Sequence, residues 1–254
     1  MCVREQALRL TATASLVGLG VWGASIALAP PFDGTAGFQK AKAYAPVRNA
    51  EIDFHIWYPA APDGRRVTVG GNGVFHGTQA GRHATPNPDA HPLVLISHGA
   101  GGNAGQFGWI ASALVDRGYV VALPNHPGST SGNASAAEAV KVWKRPPDMS
   151  AGIDAILADP PAYPFVDTYR IATVGFSAGG YTALALAGGI VVPDRLSAFC
   201  DDGNTGMSDC AFFENAGLNL HDIDFSPADQ DHYDARIKAT VLVDPGIIAA
   251  ITDE

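Results

Sequence analysis

Charge is what this sequence has least of. Only 16% of the 254 residues are charged, the formal net charge is −9, and no basic run occurs, so nucleic acid and an anionic membrane surface are excluded as electrostatic partners. Cysteine is scarcer still, with three in the chain. Cys2 belongs to the N-terminal stretch. That leaves Cys200 and Cys210, which form one short-range disulfide in an oxidising compartment or stand as two buried thiols. No G-x-x-x-x-G-K-[ST] occurs, which removes the phosphate loop, and no period of twenty to fifty residues recurs. Metal-ligand spacing is missing as well. His76, His83 and His91 sit in a loop without paired partners, and Asp222, Asp224, Asp229, Asp231 and Asp234 lack the glycine and terminal glutamate of a calcium loop. Neither a metal nor a cofactor is expected.

What is abundant is apolar surface and glycine. A hydrophobic content of 47% over this length is enough for a single sizeable core. Arg4 and Arg9 precede an apolar stretch from Leu10 to Ala29 ending Ala27-Leu28-Ala29, the order of a secretory signal, so residues 1–29 are expected to direct export to the periplasm or exterior. The alternative is an uncleaved membrane anchor over residues 10–29. The folded domain is expected over 44–254, with a loop-rich insertion at 194–234.

Ile52 to Tyr58 alternates as a half-buried strand does, and Leu93 to Ser97, Tyr119 to Pro124 and Ile237 to Val243 are continuous apolar runs of the kind covered on both faces. Between the second and third of these, Phe107, Ile110, Ala111, Leu114 and Val115 recur at helical spacing until Gly118. Strand, helix and strand in about thirty residues predict a right-handed crossover on a parallel sheet. A helix is also expected over Ser150 to Ala158, with Asp148 as its cap.

The stretch that organises the chain is Tyr169 to Gly180, where a β-branched run ends in Gly175-Phe176-Ser177-Ala178-Gly179 and passes into an Ala/Leu-rich helix. Such a strand-turn-helix corner is a nucleophile elbow: glycines around Ser177 let its Oγ project from a strained turn, and Gly180 lets the helix pack close to the sheet. A serine nucleophile needs a base, an acid that orients the base, and donors for the oxyanion. The N–H groups of Ala178 and of Ala100, in the His98-Gly99-Ala100 turn, are the candidate donors. Gly99 to Ala104 also fits G-x-G-x-x-A, but Pro124-Asn125 stands where a dinucleotide site wants its acid. Asp244, at the end of a predicted parallel strand, is the leading acid, ahead of Asp201 and Asp202. The base is the difficulty. It ordinarily follows the acid, and no histidine follows His232. His221 and His232 lie between Ser177 and Asp244, whereas His98 and His126 are expected to shape the oxyanion turn and its neighbouring loop.

Leu95-Ile96-Ser97-His98-Gly99, Pro124 to Gly128, Arg145-Pro146-Pro147-Asp148, Gly175 to Gly180 and Val243-Asp244-Pro245-Gly246, in that order, resemble the bacterial predicted dienelactone hydrolases. That group is similar to the platelet-activating factor acetylhydrolases of the α/β-hydrolase superfamily. The resemblance implies an α/β-hydrolase fold, a mostly parallel sheet with helices on both faces, incomplete at its C-terminus. It implies an exported serine esterase acting on a small-molecule or lipid-like ester, with Ser177 as nucleophile, Asp244 as acid, and Ala100 and Ala178 as oxyanion donors. Cys200 and Cys210 fall in the inserted cap. Relatives continue to a Gly-His that this sequence lacks, so the chain is expected to be part of a longer hydrolase and nearly inactive as it stands. A non-catalytic exported binding protein on the same fold is the alternative.

Overall fold

Leu93 and Leu95 turn to one side of the sheet and Val94 and Ile96 to the other, and each pair joins a different buried cluster. This is the pattern of a strand covered on both faces. The computed structural model describes residues 32–201 and 208–252, so the signal or anchor expected at 1–29 lies outside the described residues.

Eight strands form one sheet: β1 (Ala36–Ala45), β2 (Ala50–Pro59), β3 (Arg65–Val69), β4 (Thr78–Arg82), β5 (His91–Ser97), β6 (Val120–Pro124), β7 (Val166–Phe176) and β8 (Ile237–Val243), in the order β3-β4-β1-β2-β6-β5-β7-β8. β6, β5, β7 and β8 are mutually parallel, and β2 joins β6 antiparallel. The chain runs from β5 outward to β6, then returns to place β7 on the other side of β5. That reversal makes a crevice beyond the carboxyl ends of β5 and β7, where ligands meet open α/β sheets.

Two differences from the sequence reading concern the edges. The sheet begins at Ala36, ahead of the boundary expected at 44, because β1 pairs along its whole length with β2. Its Ala- and Lys-rich sequence carries little strand signal of its own, and pairing supplies what propensity does not. β8, expected to be buried, is an exposed edge strand with Val241 at 52% and Val243 at 45% exposure. Its apolar run continues the pattern of β7, but Val241, Leu242 and Val243 stay largely exposed at the sheet's edge.

Helix α1 (Gly108–Val115) covers one face, packing Ala111 and Val115 on Val94, Ile96 and Val121. After the short α2 (Ala136–Ala139), α3 (Arg145–Ala158) and α4 (Ala178–Leu186) cover the other face. There Met149, Ile153 and Ile156 meet Phe54, Leu93 and Leu95. Asp148 does not cap α3. Lys144 precedes the helix without a side-chain cap bond, and Asp148 is buried inside the first turns.

Where it is described, the segment expected to be a loop-rich insertion carries short helical pieces between its loops. It contains α5 (Pro193–Ser197), α6 (Ser208–Asn215) and single turns at Leu220–Asp222 and Ser226–Ala228. Phe199, Phe213, Leu220 and Phe225 form its apolar underside, packed with Trp143 against Tyr181 and Ala185 of α4. Cys200 and Cys210 are joined, with their Cα atoms 5.5 Å apart. Among the described residues no helix is long and apolar enough to cross a membrane, and no cluster of potential metal ligands occurs.

Candidate active site

Ser177 stands between β7 and α4 with φ 53° and ψ −121°. A non-glycine residue there is strained, and it persists only when its surroundings over-determine it. They do so here. Ser177 N–H donates to Val243 O at 3.1 Å, while its carbonyl accepts from Gly246, Gly180 and Tyr181 at 3.0, 2.7 and 3.2 Å. The flanking glycines are required by backbone, not by freedom of φ. A Cβ on Gly175 would fall 1.9 Å from Gly179 O, and one on Gly179 would fall 2.0 Å from Ser97 O. Gly180, expected to let the helix approach the sheet, instead makes room for Pro245, whose Cα would lie 2.6 Å from its Cβ.

Ser177, Ala178 and Ala100 line one cavity of about 230 Å³, together with Ala139, Val142, Asp209, Phe212, Phe213, Gly246 and Ile247. The Ala100 and Ala178 amides have no hydrogen-bond partner among the described residues. Two unpaired N–H groups beside a projecting hydroxyl can hold the oxyanion that forms when the hydroxyl attacks an acyl carbon. Losing one such donor costs about 2.7–4 kcal/mol of barrier. A larger groove of about 610 Å³ lies beyond the 99–102 turn, between α1 and the open face of β7 and β8, and Ser177 is not in its wall.

Asp244 directly follows the residue that accepts from Ser177 N–H, with φ 46°. Its side chain is exposed, lines none of this cavity and has no hydrogen-bond partner among the described residues. All eight histidines are described, and none lines the cavity. His221 pairs with Asp201 at 2.8 Å on the exposed rim of the insertion. His232 lies near the C-terminal end of α4, where Asp234 N–H donates to Leu186 O. Cys200 and Cys210 line a different hollow, with His221. Sequence reasoning missed Asp209, the cavity's lone acid, whose Oδ2 accepts from Ile247 N–H at 3.1 Å. Its signal was weak: one carboxylate in an acidic stretch, adjacent to a cysteine.

His98 and His126 sit under the oxyanion turn, buried at 1% and 0% exposure. His98 Nδ1 donates to Gly99 O at 2.7 Å, and its Nε2 accepts from His126 N–H at 3.3 Å. His126 Nδ1 donates to Asp148 Oδ2 at 2.8 Å, so its Nε2 accepts from Ser97 Oγ at 2.9 Å. Burial, and then the charge of Arg145, holds both imidazoles well below the usual histidine range, and both are neutral. Ser97, His126 and Asp148 thus reproduce the connectivity of a catalytic triad. Every member is buried and Ser97 reaches no cavity, so this set does no acyl chemistry. Arg48 closes it, donating to both Asp148 oxygens at 3.0 and 2.8 Å. Burial raises the Asp148 carboxyl, and Arg48 opposes that shift.

The sheet order, the strained serine corner at the β5–β7 reversal and the paired amides are those of an α/β-hydrolase fold. Residues 105–193, which include Ser177, match the model of the prolyl oligopeptidase family. A ferulic acid esterase from Streptomyces cinnamoneus is similar at 23% identity over 62% of this chain and 55% of its own, with TM-score 0.49. The esterase Est22 is similar at 15% identity over 60% and 38%, with TM-score 0.41. A puromycin-hydrolyzing peptidase of Mycobacterium tuberculosis is similar at 19% identity over 59% and 20%, with TM-score 0.40. The chain spans just over half the length of the first and less of the others. No curated protein matches it.

Proposed function

We propose that the chain carries the acylation half of a serine hydrolase site for carboxylic esters, of the dienelactone hydrolase and acetylhydrolase type. Ser177 Oγ attacks the ester carbonyl, the carbonyl oxygen becomes an oxyanion between the Ala100 and Ala178 N–H groups, the alkoxide leaves as the alcohol, and water then releases the acyl group. Asp244 is assigned as the acid of the set. The observation that carries this reading is the strained backbone of Ser177 facing the same cavity as two unpaired amides. A cavity of about 230 Å³ walled by Val142, Phe212 and Phe213 fits a short acyl chain. No metal or cofactor enters the proposed reaction.

With no histidine at the cavity, the Ser177 proton passes to solvent, and turnover by these 254 residues is slow. The residual rate expected from oxyanion stabilisation and binding alone is about 10³–10⁴-fold over water. A non-catalytic binding role on the same scaffold is the second reading, and the same histidine-free cavity favours it. Export also belongs to the proposal, supported by Arg4 and Arg9 ahead of the apolar run and by the Cys200–Cys210 bond, which suits an oxidising compartment.

A fluorophosphonate separates the two readings. The hydrolase reading expects a single phosphonyl adduct on Ser177 that disappears in Ser177→Ala. A folded protein left unmodified at Ser177 by millimolar reagent over hours would favour the binder.

A further inference from the structure

Arg145 is 1% exposed, yet none of its hydrogen-bond partners is a carboxylate. Its Nε donates to Thr182 Oγ1 at 3.1 Å and its Nη1 to Ser129 Oγ at 2.8 Å; its Nη2 donates to Ser97 Oγ at 3.2 Å and to His98 O. Burying a cation in this way costs several kcal/mol, and an apolar side chain of similar volume is often as stable or more so. Folding stability is therefore a poor reason for a guanidinium here.

The four acceptors suggest a better one. Ser97 ends β5, and His98 leads into the turn that carries Ala100. Ser129 O accepts from Gly101 N–H at 2.9 Å, and Ser131 N–H donates to Gly102 O at 2.7 Å, so the loop after β6 holds the same turn from the other side. Thr182 Oγ1 donates to Ala178 O at 2.9 Å, in the first turn of the helix whose N-terminal amide is the second donor. One planar fork thus ties together three elements that meet at Ser177: the turn bearing one oxyanion amide, the loop that braces the turn, and the helix bearing the other amide.

From this geometry we infer that Arg145 is a positioning residue that sets the spacing of the Ala100 and Ala178 amides, backed by the buried chain Ser97–His126–Asp148–Arg48. The inference rests on the ester hydrolase reading of Ser177 for its catalytic consequence, though not for its structural one. Asp148 supplies the negative charge that the buried guanidinium needs, at two removes through His126 and Ser97. This arrangement leaves all five guanidinium donors free for neutral acceptors around the site. A lysine has the charge but presents three donors from one point, and cannot reach four acceptors on three elements.

The test compares the full chain with Arg145→Lys and, in case that variant does not fold, with Ser129→Ala, which removes one acceptor and keeps the cation. Two quantities are read: amide hydrogen exchange by mass spectrometry, and the concentration dependence of Ser177 phosphonylation. In Arg145→Lys the 98–104 peptide is expected to exchange about tenfold faster while β1 and β2 peptides are unchanged. The maximal phosphonylation rate falls about 10–100-fold with the half-saturating reagent concentration unaltered. Ser129→Ala shifts both in the same direction by less. Unchanged exchange at 98–104 in a folded variant overturns the inference, and so does a loss of protection spread evenly over the sheet. If the parent chain is not phosphonylated at Ser177, the hydrolase reading fails and the exchange result alone decides the positioning of the turn.

Discussion

An Arg48→Met variant is expected to lose about 3–5 kcal/mol of folding stability, the ordinary cost of removing one partner of a buried ion pair. The side chains of Arg48 and Asp148 are 8% and 0% exposed, and Arg48 meets both carboxylate oxygens. Methionine fills a similar volume but leaves Asp148 buried with only the neutral His126 as a bonded neighbour. The carboxylate must then stay desolvated without a bonded cation, with only the charge of Arg145 acting on it from beyond His126 and Ser97, which is what makes the loss large. Arg48 also donates to Pro127 O at 3.2 Å, so part of the loss is felt in the loop after β6. Adding Asp148→Asn should return some stability, because an amide needs no cation. Urea unfolding of the two single variants and the double variant gives this coupling, expected at about 0.5–3 kcal/mol. Simple additivity, or a single-variant loss below 1 kcal/mol, would mean that the pair is not sealed from water.

Acid should weaken the fold before any carboxylate partnership is lost. Burial keeps His98 and His126 neutral, with pKa values well below the ordinary 6.5, and it holds His55, flanked by Lys40, at about 4. The unfolded chain therefore binds protons at these sites at a pH where the native state does not. The sign follows: stability from these groups is complete above pH 6.5 and falls as pH drops toward the folded-state values. At pH 5.5 each histidine removes on the order of 1 kcal/mol, and the three together remove roughly 4 kcal/mol. In a domain of this size that lowers the melting midpoint by roughly 8–16 °C. Thermal melts at pH 7.5, 6.5 and 5.5 check this, with protons taken up on unfolding at the lowest pH. A midpoint unchanged between 7.5 and 5.5 would show that water reaches the two histidines beneath the oxyanion turn.

These effects arise in the part of the molecule that was least legible in the sequence. β5, β6, β7 and the elbow announce themselves locally, since runs of apolar and β-branched residues and the spacing of Gly175, Ser177 and Gly179 are set by neighbours in sequence. β1 does not, because its Ala- and Lys-rich residues become a strand only by pairing with β2. The relay is harder still. Arg48, Ser97, His126, and the α3 pair Arg145 and Asp148 come from four separate segments, and nothing local distinguishes Asp148 from a helix cap until Arg48, 100 residues away, is found against it. The same holds at the cavity. Ala100, Ser177 and Ala178 were readable from two glycine-rich turns, whereas Asp209, Phe212 and Phe213 reach the site only because the insertion folds back over α4.

The central claim is that Ser177 forms an acyl-enzyme, and an activated acetyl ester tests it most directly. The chain is mixed with excess p-nitrophenyl acetate at neutral pH, quenched in acid and mapped by peptide mass spectrometry. One acetyl group on Ser177, accumulating because deacylation lacks a base and missing from Ser177→Ala, is the predicted result. Acetylation confined to surface lysines and equal in both proteins would contradict it.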